Sequence, residues 1–140
     1  MAQRGRRIAF DYGDTRIGVA ICDPDGILAT PLDFISAKSP HLKRDIQELF
    51  DEYSPIRIFL GRPKHLSGEE GQSVAKVEVF AEFLSGITST PIVYVDERLT
   101  TSSAARLLRE VGKDAKSSKS LIDSAAAVSI LEMGLSYEDR

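Results

Sequence analysis

The sequence holds one cysteine, Cys22, and two histidines, His41 and His65, among 140 residues. A lone thiol excludes a disulfide scaffold. Two isolated histidines far from any cysteine pair exclude a Cys/His zinc centre. There is no surplus of basic charge either. The 18 Lys and Arg stand against 21 Asp and Glu, a net charge of −3, and the pI is near 5.4. Bulk-basic nucleic-acid binders often exceed about pI 9, so composition alone points away from that class. No apolar run approaches the ~18–20 residues of a membrane span. Met1–Arg7 is charged with no apolar stretch behind it, which is not the pattern of a signal peptide. Lipidation cysteines, internal repeats and low-complexity segments are also missing. A cytoplasmic protein with no membrane association is expected.

What is present is ordinary globular composition, 42% apolar and 28% charged. The length suits one domain, since domains cluster at roughly 100–150 residues. A single domain over 1–140 is expected, with 1–6 a basic tail and 136–140 flexible. Arg4, Arg6 and Arg7 together read as a solubilising N-terminal arm.

Ile8–Phe10 is a short apolar run ending at Asp11, and Ile17–Ile21 a second. Asp23-Pro24-Asp25-Gly26 is a turn, after which Ile27–Leu32 reads as a third strand. Such tight connections imply antiparallel pairing, because parallel strands need crossovers of a dozen or more residues. Ser39-Pro40 then reads as an N-cap with proline in the first turn. Leu42, Ile46, Leu49, Phe50 and Tyr53 follow on one helical face. Ile56–Leu60 is a compact strand closed by Gly61, and residues 62–71 form a loop. Val74, Val77, Phe80, Ala81 and Leu84 mark a second helix, and Pro91–Val95 a fifth strand. Ala104, Leu107, Leu108 and Val111 mark a third helix, and a last one runs from about Ser118 to Gly134. The expected fold is α/β: a mixed five-stranded sheet, three antiparallel strands then two parallel ones, flanked by helices.

Open α/β sheets carry their sites at the C-terminal ends of parallel strands. Asp11 ends the first strand, Gly61-Arg62-Pro63 the fourth and Asp96-Glu97 the fifth. Parallel neighbours would bring Asp11 and Glu97 to one edge. Asp123 shares a helical stripe with Ala126, Ala127 and Ile130. There it either serves the helix dipole or joins the other acids. Two unit charges ~4 Å apart repel by roughly 4 kcal/mol at an effective dielectric of 20, so converging carboxylates call for a cation. Hard divalent ions such as Mg²⁺ take oxygen ligands and substrate phosphates.

At these residues the chain resembles a known family. Asp11-Tyr12-Gly13-Asp14-Thr15-Arg16-Ile17-Gly18-Val19-Ala20 resembles the opening motif of the YqgF (RuvX) family. Gly61-Arg62-Pro63 with Gly68-Glu69-Glu70-Gly71 resembles its glycine-rich loop. Asp96-Glu97-Arg98-Leu99-Thr100-Thr101 resembles its third motif, and Ile122-Asp123-Ser124-Ala125-Ala126-Ala127 its C-terminal helix motif. The four stand in family order across residues 8–131. The resemblance implies a ribonuclease H-like fold and a divalent-metal-dependent endonuclease. It implies Asp11, Glu97 and Asp123 as catalytic, metal-binding acids, with two Mg²⁺ or Mn²⁺ ions. Asp96 is set aside because its side chain should oppose that of Glu97 along a strand. The family is described both as a pre-16S rRNA nuclease and as a Holliday junction resolvase. Thr15 and Ser124 stand where the family often has lysine, which bears on substrate contacts.

Charge is uneven along the chain. Residues 98–119 sum to +4 and the rest to −7. Arg106, Arg109 and Lys113 fall at i, i+3 and i+7, on one helix face. With Arg16, Arg62, Lys64, Arg98, Lys116 and Lys119 they are the candidate phosphate contacts. His65 is either a proton shuttle or a surface histidine.

The leading reading is an endonuclease acting in 5′-end processing of precursor 16S rRNA, as a monomer or weak homodimer. Alternatives are a resolvase on branched DNA and a non-catalytic nucleic-acid or transcription-complex module. Asp-x-Gly-x-Thr at Asp11–Thr15 also resembles the phosphate loop of actin-like ATPases, but those pair two domains around the nucleotide.

Overall fold

The computed structural model describes residues 4–62, 70–97 and 115–138, with the backbone alone described at 70–73 and 115–123. Five strands form one sheet: β1 (Arg7–Tyr12), β2 (Arg16–Cys22), β3 (Ala29–Ser36), β4 (Arg57–Arg62) and β5 (Ile92–Asp96). Their order is β3-β2-β1-β4-β5. β1 pairs antiparallel with β2, and β2 with β3. β4 lies parallel to both β1 and β5. This is the expected mixed sheet. Three helices are described: α1 (Leu42–Tyr53), α2 (Glu70–Ser85) and α3 (Ala115–Glu138). The helix expected at 104–111 lies outside the described residues.

Alternation along the strands sorts the core into two layers. Ile8, Phe10, Ile17, Val19, Ile58 and Leu60 point to α1 and α2, meeting Ile46, Phe50, Val77, Phe80 and Leu84. Phe10 sits edge-on to both Phe50 and Phe80. Ala9, Ala20, Cys22, Phe59 and Val95 point the other way, to Ala127, Val128, Ile130 and Leu131 of α3. Small residues let α3 lie close to this second face. A Cβ on Gly134 would fall 2.5 Å from the Phe59 ring.

Several elements differ from the sequence expectation. β3 begins at Ala29, not Ile27, because the Asp23 carboxylate accepts the N–H groups of Ile27 and Leu28 and holds them in the turn. Those two side chains stand in solvent. The N-cap of α1 is His41, not Ser39. The Ser39 hydroxyl is spent on the Asp45 carboxylate at 3.0 Å and on the His41 N–H. α2 begins at Glu70, inside the expected loop.

The chain ends depart most. α3 runs on to Glu138, where a flexible end from 136 was expected. Arg7 is no part of a loose arm: it is 1% exposed. Its guanidinium donates to Glu138 at 2.7 Å and to the Gly5 carbonyl at 2.6 Å. Arg57 adds a second ion pair to Glu138 at 2.8 Å. Burial pushes the Glu138 carboxyl up, but the hydrogen bonds and charges of Arg7 and Arg57 outweigh it and hold that carboxyl below its ordinary range. Residues 5 and 6 are tied as well, through Gly5 N–H to Pro24 and Ile56 N–H to the Arg6 carbonyl.

Candidate active site

The parallel register brings Asp11, Gly61 and Val95 toward one level of the sheet. Phe10 pairs with Leu60, Leu60 with Tyr94, and Gly61 with Val95. The period-2 alternation then places Asp11, Gly61 and Glu97 on the same side, the one covered by α3. The order β1-β4-β5 leaves β4 between the two acids. Any side chain on β4 at this level would separate them. Gly61 has none.

A Cβ built there would lie 2.6 Å from Glu97 Oε1 and 2.5 Å from Ile130 Cδ1. The carboxyl of Glu97 therefore occupies the space a residue-61 side chain would take, and it hydrogen-bonds Asp11. Gly61 was expected to close the strand. Instead β4 continues through it to Arg62. The available sequence signal was a glycine inside a strand, which marks close approach of another group.

Both acids are partly buried. Burial is the largest influence on Glu97, followed by the hydrogen bond to Asp11 and the negative charges of Asp11 and Asp96. Together they push its carboxyl from an ordinary 4.5 up to about 8. Near neutral pH the pair shares a proton rather than carrying two full charges. Two oxygen-donor carboxylates held together against repulsion are a fitting donor set for a hard divalent cation, which would displace that proton. Among the described residues, no group of three His, Cys, Asp or Glu is placed to hold a metal ion. The third expected acid, Asp123, stands on α3, and its side chain lies outside the described residues.

The residue after Asp123 shows how α3 is seated. Ser124 is fully buried, so it offers substrate nothing. Its hydroxyl donates to the Leu32 carbonyl at 2.5 Å and accepts the Val19 N–H at 3.4 Å. β2 and β3 slip register between Ile17 and Val19, and the hydroxyl fills that break. The helix is thereby pinned to the sheet beside Asp123.

The candidate phosphate contacts divide. Arg16 lies beyond Asp11 on the same edge, its guanidinium 5.0 Å above the Phe34 ring. Arg62 ends β4, 5.1 Å above the Tyr94 ring and paired with Glu78 at 2.8 Å. Lys64, His65, Arg98, Arg106, Arg109 and Lys113 lie outside the described residues. Lys116 and Lys119 are placed on α3 by backbone alone. Lys76 of α2 pairs with Asp14 of the β1–β2 turn at 3.0 Å.

The chain is similar to known proteins in sequence and in fold. The model of a family described as "RuvX: Holliday junction resolvase" matches residues 5–137. A Streptomyces coelicolor protein named "Putative pre-16S rRNA nuclease" is 48% identical over 138 residues, covering 97% of this chain and 83% of its own. A Streptomyces avermitilis protein of the same name is 46% identical, covering 97% and 88%. Among solved structures, Thermus thermophilus RuvC in complex with Holliday junction substrate superposes with a TM-score of 0.58 at 15% identity, covering 94% of each chain. A Fowlpox virus resolvase with Holliday junction DNA gives 0.51 at 13%, covering 96% of this chain and 97% of that one. At such identities the structures speak for the fold, which is ribonuclease H-like.

Proposed function

Because this chain belongs to the RuvX family, we propose that it is a divalent-metal-dependent endonuclease acting in 5′-end processing of precursor 16S rRNA. The observation that carries the reading is the Asp11–Glu97 pair closing across Gly61. A purely structural role would not keep two carboxyls in contact at partial burial, where each loses hydration without gaining a cation.

Asp11, Glu97 and Asp123 are the proposed metal-binding and catalytic acids. Divalent cations bound there supply activation of water and neutralisation of charge on the phosphoryl oxygens. The residues themselves have narrower tasks. Glu97, protonated beside Asp11 in the metal-free protein, would hold the cation as a carboxylate. Asp11, on the central strand β1, would be one of the carboxylates that hold the cation. Gly61 keeps the two carboxyls in reach of one another. Arg16, Arg62, Lys64, Arg98, Arg106, Arg109, Lys113, Lys116 and Lys119 are the proposed phosphate-positioning groups. The chain is proposed to act in the cytoplasm as a monomer or weak homodimer. Among the described residues no helix is long and apolar enough to cross a membrane.

The test incubates purified protein with precursor 16S rRNA and, in parallel, with a four-way DNA junction, each with and without Mg²⁺. Metal-dependent trimming of the RNA, abolished in Asp11→Asn, is the expected result. Cleavage of the junction alone would replace the RNA reading with the resolvase one. Undiminished cleavage by Asp11→Asn would overturn the site.

A further inference from the structure

The edge that carries Asp11 does not end at β1. β3 is parallel to β1 by way of two antiparallel pairings, so its C-terminal end opens on the same rim. Arg16 pairs with Ser36 there, and the Ala37 N–H donates to the Thr15 carbonyl at 2.9 Å. The segment from Lys38 into the first turn of α1 therefore lies alongside the turn that follows Asp11. It borders a shallow groove of about 400 Å³ lined by Pro40, His41, Lys43, Arg44 and Gln47.

The charges around this groove are placed against the interests of the helix. Cations favour a helix C-terminus and anions its N-terminus. In α1, Lys43 and Arg44 stand in the first turn, and Glu48, Asp51 and Glu52 follow them. Of the first-turn groups only Asp45 is acidic, and it is held by the Ser39 hydroxyl. Elsewhere on the described surface, Arg4, Arg57, Arg62 and Lys76 have carboxylate partners, and Arg6, alone at the opposite rim, has none among the described residues. Lys38, Lys43 and Arg44 have none among the described residues. All three are exposed. Neither helix stability nor ion pairing accounts for them.

We propose that this groove, with Lys38, Lys43 and Arg44, holds the phosphodiester backbone of the substrate strand flanking the cleavage point. The inference rests on the nuclease reading above. Asp11 faces α3 and the groove faces the α1 side, so the strand crosses the rim at residues 13–16, past Arg16. Two strand spacings separate β1 from β3, roughly 10 Å. At ~3.4 Å of axis per phosphate of one strand, the groove is about three phosphates or more from the acids. These cations bind backbone, so they add affinity and register without sequence preference.

The experiment measures binding of a labelled precursor 16S rRNA 5′ leader transcript in EDTA, where cleavage is silent, over a series of salt concentrations. A four-way DNA junction is run beside it. Each phosphate contact on a single strand contributes about 0.7 to the slope of log affinity against log salt. Lys43→Glu with Arg44→Glu should therefore lower the slope by about 1.4. The Lys43→Ala, Arg44→Ala pair should lower it likewise with a melting temperature no lower than that of the wild type. Arg6→Glu, at the opposite rim, should leave it unaltered, and Mg²⁺ binding measured by calorimetry should be unchanged in all three. An unaltered slope in the double variants, or no salt-dependent binding of either probe by the wild type, overturns the groove. Failure of the nuclease reading shows separately, as cleavage that survives Asp11→Asn.

Discussion

Replacing Glu97 by Gln should stabilise the metal-free protein, and only on the alkaline side. Glu97 is held at about 8 in the fold against an ordinary 4.5. The folded state thus binds a proton that the unfolded state has released across that window. Stability falls as pH rises from about 4.5 to 8 and levels off above. Carried in full, the displacement would cost about 5 kcal/mol at alkaline pH. Water reaches the partly exposed carboxyl and screens it, which brings the expected cost to about 2–3 kcal/mol. Glutamine keeps the shape and a donor toward Asp11 but has no proton to lose. Calorimetric melting in EDTA should show the variant about 10 °C more stable than wild type near pH 8.5, and nearly equal to it near pH 4.5. Mg²⁺ should then raise the melting temperature of the wild type and leave the variant almost unmoved. Equal gains at both pH values, or a loss at pH 8.5, would show that the carboxyl pair carries no stored repulsion.

Three further outcomes are expected. Gly61→Ala puts a methyl 2.6 Å from Glu97 Oε1. Glu97 can swing toward water but Ile130 is fully buried, so the fold should lose about 1–3 kcal/mol while calorimetric Mg²⁺ affinity drops tenfold or more; intact affinity would contradict the site geometry. Ser124→Ala leaves the part-buried Leu32 carbonyl without its hydroxyl and should cost about 1–3 kcal/mol in urea denaturation, whereas a change below about 0.5 kcal/mol would show that the hydroxyl pins nothing. Glu138→Ala strands the buried Arg7 charge and should cost about 3 kcal/mol. Because the Glu138 carboxyl lies below its ordinary value, its contribution is complete above pH 4.5 and lost as pH falls through the folded value. The acid limb of the stability curve should therefore flatten in the variant.

The sheet was legible because its signals are local. Short apolar runs, tight turns and helical stripes give strand number, pairing sense and the edge on which Asp11 and Glu97 meet. What was not legible depends on partners far away in the chain. Arg7 reads as one of three neighbouring arginines, and its counter-charge lies 131 residues on, at Glu138. Ile27 and Leu28 have strand-like side chains, yet one carboxylate, Asp23, takes both their amides. Ser39 is a good cap by type, but its hydroxyl found Asp45 instead. Gly61 reads in sequence as the stop of a strand, and Ser124 as a place where a substrate-facing lysine is missing. One is a space that Glu97 fills, the other a peg in a break between strands.

The helix that carries Asp123 comes after all five strands in the chain, and it alone supplies the described cover over Ala9, Ala20, Phe59 and Val95. During synthesis, the first strands can pair while that face of the sheet is still bare. Asp11 and Glu97 are then present without the proposed third acid, and β1 begins at an arginine whose partner has not been made. A growing chain thus exposes an apolar sheet face, and the same late segment brings its cover, the counter-charge of Arg7 and the proposed third acid together.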